Sequence, residues 1–221
     1  MQYHLIFDMD GVLVDSEPFH QSVLQSVCDR IGIRIDKPYY TTLVGMGDLQ
    51  LWSKLIDDFD LDKSPDWYIS FHKKLLYEAL PSADVTPMPY VLDLIEELAA
   101  HNFRLSLGSS SPVKVINTFV EKLKIVSYFD HLVSREHVSQ GKPHPDIFLE
   151  VARRYGLPPE EFLVIEDSYN GVCAATSAGM RSVGYIHPNS GKQDLSNAVM
   201  VIDSFSCISA QRLKEMYTCK K

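Results

Sequence analysis

The feature that most restricts this chain is an alternation that recurs along its length. Short apolar, β-rich runs are separated by stretches whose apolar residues recur with the period of a helix. The runs are His4-Leu5-Ile6-Phe7, Phe103 to Leu107, Phe162 to Ile165, Ser182 to Ile186 and Val199 to Ile202. Each is rich in apolar residues and reads as a buried strand of a parallel sheet. Between them, Pro89 to Ala100 carries Val91, Leu92, Ile95, Leu98 and Ala99 on one face. Ser111-Pro112 reads as the cap of a run bearing Ile116, Phe119, Val120 and Leu123. A third helix is predicted from Asp146 to Tyr155, stopping at Gly156, and a fourth from Tyr169 to Ala178, stopping at Gly179. Strand then helix, repeated, predicts an α/β fold: a doubly wound parallel sheet.

One stretch breaks the alternation. Far more residues separate the first strand from Phe103 than one crossover needs, and residues 17 to 81 show helical periods only. An inserted all-helical cap domain is predicted over 16–86, within a Rossmann-like core of 1–15 and 87–221; a chain of 221 residues has room for both. The first inserted helix carries Phe19, Val23, Leu24, Val27 and Ile31 before Gly32, and Ser64-Pro65 opens another. Pro and Ser punctuate both connections, so the insertion is expected to hinge near Asp15 and Pro87 and to act as a lid over the sheet edge.

Charge narrows the partners. With 21 basic against 29 acidic residues the formal charge is −8, which disfavours nucleic acid and anionic membrane surfaces. No apolar run approaches the roughly 18 residues of a membrane span, and the N-terminus lacks the features of a signal peptide. Cys28, Cys173, Cys207 and Cys219 are too scattered for a zinc site or a disulfide framework. The expectation is a cytoplasmic protein, a monomer or at most a weak dimer.

Open α/β sheets bind ligands beyond the carboxyl ends of their strands. There this chain places Asp8 and Asp10 after the first strand, Gly108, Ser109 and Ser110 after the second run, and Glu166 and Asp167 after the third. Gly141-Lys142-Pro143-His144-Pro145-Asp146 adds a lysine just before a helix. Four carboxylates at one edge repel one another unless a hard cation joins them, and oxygen ligands with room for water and phosphate suit Mg²⁺. With the chain turning at Gly11, one carboxylate of the Asp8/Asp10 pair can attack and the other can move a proton. Attack on an anionic phosphate needs a cation on each flank, Mg²⁺ on one and Lys142 on the other. Ser109, Ser110 and the backbone N–H groups of their turn can hold the remaining phosphate oxygens.

Taken in order, Asp8-Met9-Asp10-Gly11-Val12-Leu13-Val14-Asp15-Ser16-Glu17, Gly108-Ser109-Ser110-Ser111-Pro112, Lys142-Pro143-His144-Pro145-Asp146-Ile147-Phe148 and Ile165-Glu166-Asp167-Ser168-Tyr169-Asn170-Gly171 resemble the four motifs of the haloacid dehalogenase superfamily. Within it they are similar to the β-phosphoglucomutase-like phosphatases, and the resemblance covers essentially the whole chain. It implies Asp8 as the nucleophile that forms an aspartyl-phosphate and Asp10 as general acid and base. Ser109 and Lys142 are implied to bind the phosphoryl group. Asp8, the Asp10 carbonyl, Glu166 and Asp167 are implied to serve Mg²⁺. His20 matches a histidine that mutase-like members place near the active site. Many relatives carry an Arg near where this chain has Gly45-Met46-Gly47-Asp48. Dehalogenation and phosphonate hydrolysis are disfavoured by the presence of Asp10.

The expected activity is Mg²⁺-dependent hydrolysis of a small phosphate monoester. A sugar phosphomutase, an inorganic pyrophosphatase and a catalytically silent binding protein are the alternatives. Ser111 reads as a plain helix cap, Asp15 as a helix cap at the hinge, Glu166-Asp167 as an acidic helix start as well as a metal pair, and His187-Pro188-Asn189-Ser190-Gly191 as a structural loop.

Overall fold

A computed structural model describes residues 2–188 and 193–218; Cys219 and the Asn189–Gly191 part of the late loop lie outside them. The chain divides into two compact units, Met1–Asp15 with Val85–Lys221, and Ser16–Asp84.

In the second unit, α1 (Glu17–Ile31), α2 (Lys37–Thr41), α3 (Asp48–Phe59) and α4 (Pro65–Ala79) follow one another. Gly32, at φ 78°, closes α1 in the left-handed conformation. The Ser64 hydroxyl accepts the Trp67 N–H and starts α4. Trp52 of α3 stacks on Tyr68 of α4 with ring centroids 5.0 Å apart, and with Leu55 and Leu75 it forms this unit's buried centre.

The first unit is built on six parallel strands: β1 (Tyr3–Phe7), β2 (Phe103–Ser109), β3 (Phe129–Ser134), β4 (Phe162–Glu166), β5 (Arg181–Tyr185) and β6 (Met200–Ile202). Their order across the sheet is β3-β2-β1-β4-β5-β6. Helices α5 (Val91–Ala100), α6 (Val113–Lys122), α7 (Asp146–Tyr155), α8 (Tyr169–Ser177) and α9 (Ala210–Thr218) accompany it. The α7 and α8 side chains Ile147, Phe148, Val151, Ala174 and Ala175 pack on one face of the sheet against Ile6, Val133 and Val164. Alternation along β1 sends Leu5 and Phe7 to the other face, fully buried. The doubly wound parallel sheet is therefore present as read from the periodicity.

β3 is the one strand the apolar runs do not announce. Its sequence Phe-Asp-His-Leu-Val-Ser mixes polar and apolar residues because it is an edge strand, covered fully only at Val133 and Ser134. Helix α5 begins at Val91, two residues later than the apolar pattern suggests, since Tyr90 before it is left-handed at φ 64°. Asp15 does not cap α1. The N-cap is Ser16, and the Asp15 carboxylate lies 3.7 Å from the buried His187 Nε2. Among the described residues no helix is long and apolar enough to cross a membrane.

Near the amino ends of β1 to β3, the Tyr155 ring meets His4 and His131 edge-on, at 4.8 and 4.5 Å between centroids. Tyr155 also donates to Asp130, which pairs with Arg104. Burial lowers the pKa of both histidines below the ordinary 6.5, so the fold holds them neutral, and His4 Nδ1 is buried without a hydrogen-bond partner. As pH falls through 6.5 the unfolded chain takes up protons that the folded chain refuses, so the stability these groups contribute is lost on acidification. The melting temperature should fall below that pH, and His4→Phe should flatten the fall; equal slopes for the two proteins would show that His4 does not titrate against a buried site.

Candidate active site

The strand order reverses between β1 and β4, and the carboxyl ends of these neighbours form the site. The Asp8 N–H donates to the Ile165 carbonyl at 2.9 Å, which ties the residue after β1 to the end of β4. The chain then turns sharply: Gly11 sits at φ 79°, and a Cβ there would collide with the Asp167 carboxylate. Only glycine meets both demands.

At the end of β4 the Glu166 carboxylate is held from two sides. Its Oε2 accepts from the Asp167 N–H, the Ser168 N–H and the Ser168 hydroxyl at 3.1, 3.2 and 2.9 Å. Its Oε1 accepts from Lys142 Nζ at 2.5 Å. The cap of α8 is Ser168, whose hydroxyl accepts the Gly171 N–H, so Glu166 stands behind the helix start rather than at its cap position. A Cβ at Gly171 would overlap the Glu166 carboxylate.

Lys142 reaches in from the loop before α7. Its ammonium also donates to Asp8 Oδ1 at 2.5 Å and to the Gly108 carbonyl at 2.9 Å, and lies 4.9 Å from the centroid of the Phe148 ring. Burial works against its charge, but the Asp8 and Glu166 carboxylates outweigh burial and raise its pKa, so it is a fixed cation. Asp8 is 6% exposed. Burial, reinforced by Glu166, Asp10 and Asp167, raises its pKa well above the carboxylate range despite the opposing pull of Lys142. One ammonium does not balance this many acids.

Oxygens of Asp8, Glu166 and Asp167 lie within 4.8 Å of one another. Buried carboxylate oxygens this close, in excess of the available positive charge, fit a hard divalent cation such as Mg²⁺ in donor type, spacing and charge. The Asp10 side chain is not among them. It turns instead to the end of β2, where Oδ2 accepts from the Ser111 hydroxyl at 2.7 Å and from the Ser109 hydroxyl at 3.4 Å.

Ser111 thus does not cap α6. Pro112 occupies that position, and the Glu136 carboxylate, from the turn after β3, accepts the Val113 N–H at the start of the helix. The serine-proline pair looks like a cap in sequence because the true partner is 23 residues away. Ser109 is fully buried beside the site, whereas Ser110 is exposed. His20 belongs to the helical unit, one turn into α1, with its ring 5.6 Å from that of Phe19. Sequence reasoning also missed the Gly108 carbonyl and the Phe148 ring as partners of Lys142.

Residues 5–185 match the family model described as haloacid dehalogenase-like hydrolase. This chain belongs to that family. It is 30% identical over 193 residues to a phosphorylated carbohydrates phosphatase of Thermotoga maritima, covering 85% of this chain and 88% of that one. It is 31% identical over 180 residues to the fructose-1-phosphate phosphatase YqaB of Escherichia coli, covering 81% and 94%. The β-phosphoglucomutase of Clostridium difficile shares its fold, with a TM-score of 0.80 at 24% identity over 99% of this chain and 98% of that one. Within the family the chain is an enzyme of the phosphatase class, in the β-phosphoglucomutase-like subgroup.

Gly11→Ala tests the crowding at the acid cluster. The substitution forces a methyl group toward Asp167 at a left-handed backbone position, where strain alone costs on the order of 1 kcal/mol. The thermal shift produced by Mg²⁺ should disappear while the protein remains folded. An unchanged shift would mean that Asp167 and the turn at Gly11 do not form the cation site together.

Proposed function

We propose that the protein hydrolyses a small phosphorylated carbohydrate or similar monoester through a covalent phosphoenzyme on Asp8. The observation that carries this reading is the buried Lys142 ammonium, bound at once to Asp8 and Glu166 at the reversal point of the sheet. It sets a cation against the nucleophile and against one acid of the cluster that Asp8 forms with Glu166 and Asp167. The names of the Thermotoga maritima and Escherichia coli relatives support a phosphorylated carbohydrate as the substrate class.

In this reading an Asp8 carboxylate oxygen attacks phosphorus, the bond to the leaving oxygen breaks, and Asp10 gives that oxygen its proton. Asp10 then takes a proton from the water that cleaves the acyl-phosphate, which returns both residues to their starting state. Lys142 orients Asp8 and offsets phosphoryl charge, and Ser109 and the N–H groups of its turn hold phosphoryl oxygens. Asp8, the Asp10 carbonyl, Glu166 and Asp167 would hold Mg²⁺. Bound there, the ion would supply charge neutralisation for the phosphoryl group. The protein is read as cytoplasmic, and the helical insertion as the part that selects the leaving group.

Asp8→Asn should abolish turnover with folding intact, because an amide does not form the acyl-phosphate. Exhaustive chelation should likewise stop wild-type turnover, with Mg²⁺ restoring it. Appreciable activity of the variant, or of the chelated enzyme, against a panel of sugar phosphates would overturn the mechanism.

Net hydrolysis is favoured over phosphomutase action by the charge of the insertion. A mutase must grip a second phosphate, best with an arginine fork. Here Asp48 stands exposed at the first position of α3, in the segment where the resemblance to the β-phosphoglucomutase-like enzymes implies that arginine, and its negative charge is felt by His72. Incubation with β-glucose 1-phosphate and a trace of the bisphosphate should release inorganic phosphate; dominant formation of glucose 6-phosphate would reverse the assignment.

A further inference from the structure

The geometry points to Ser111 as the residue that positions Asp10, a role that rests on the phosphatase reading above. Ser111 is 8% exposed, and its hydroxyl, which caps no helix, donates to Asp10 Oδ2 at 2.7 Å. The serine is itself fixed. Its N–H donates to Ser109 Oγ at 3.0 Å, and its carbonyl accepts the hydroxyl of the fully buried Ser134 at 2.7 Å. Ser134 lies at the end of β3, so the ends of two strands hold one hydroxyl against the Asp10 carboxylate.

This arrangement has a directional consequence. Two serine hydroxyls donate to Asp10 Oδ2, and the shorter contact sets the plane of the carboxyl group. Ser111 would therefore hold the general acid in one orientation. In the first step the Asp8–phosphorus bond forms, the bond from phosphorus to the leaving oxygen breaks, and the Asp10 carboxyl proton passes to that oxygen. A leaving group that departs readily as an anion needs little of this proton, and a poor one needs all of it.

The test compares phenyl phosphate with 4-nitrophenyl phosphate, read as kcat/KM. That parameter covers steps only through loss of the leaving group, so the later reaction of water does not mask the effect. Ser111→Ala should lower kcat/KM for phenyl phosphate by roughly tenfold or more, part of the 10²–10⁴-fold that general acid catalysis supplies, and change it little for 4-nitrophenyl phosphate. Ser111→Thr, which keeps the hydroxyl, should restore the wild-type ratio, and thermal midpoints should show all variants folded. If Ser111→Ala fails to fold, Ser111→Cys, of similar size with a weaker donor, carries the same comparison. An equal loss for both esters, or an unchanged ratio, overturns the positioning role while leaving the phosphatase reading intact. Failure of the wild-type enzyme to hydrolyse either ester or any sugar phosphate overturns the reading itself.

Discussion

The contact on which the rest of the site depends is the Lys142 ammonium lodged between Asp8 and Glu166. Its side chain is 5% exposed and its partners' are 9% and 1%, so all three groups have been taken out of water. Such a group persists only because every component is satisfied. The ammonium has two carboxylates, a carbonyl and an aromatic face, and the glutamate also accepts three donors from the start of α8. Removing one partner of a buried pair costs about 3–5 kcal/mol because the other charge is then left uncompensated. The lysine therefore holds the loop before α7, the end of β1 and the end of β4 to one another.

The sheet order makes that contact available. β1 and β4 are neighbours although far apart in sequence, and chain to either side of them winds outward in opposite directions. The ends of β1, β2 and β4 thus present acids and hydroxyls at one edge of the sheet. β3 supplies no acid to the site, but its terminal Ser134 and the following Glu136 secure Ser111 and the start of α6.

Much of this was legible in the sequence, and the reason is local. Buried strands such as Leu163-Val164-Ile165 are continuous apolar runs, and the acids that follow them stand at strand ends whatever the tertiary details. What escaped reading was decided by distant partners. β3 is polar because one edge of it is uncovered, a property of its place in the sheet and not of its residues alone. Ser111 carries the same local signature as a cap, yet Glu136 takes the Val113 N–H at the α6 terminus and the Ser111 hydroxyl donates to Asp10. Asp15 was misread in the same way: its neighbour Ser16 takes the cap position, and the aspartate faces His187 from the far end of the chain.

The acid cluster also explains why two glycines stand where they do. Carboxylate oxygens brought within 4.8 Å repel one another, and the backbone segments that carry them must approach more closely than any side chain permits. Gly11 admits Asp167 and Gly171 admits Glu166, each at a point where one methyl group would push an acid away. An arrangement that relaxed this crowding would be more stable as a fold and weaker as a cation site, since the repulsion among the acids is itself what makes a divalent cation favourable there. The crowding at this sheet edge is held in place by the hydrogen bonds of Glu166 and by the buried lysine.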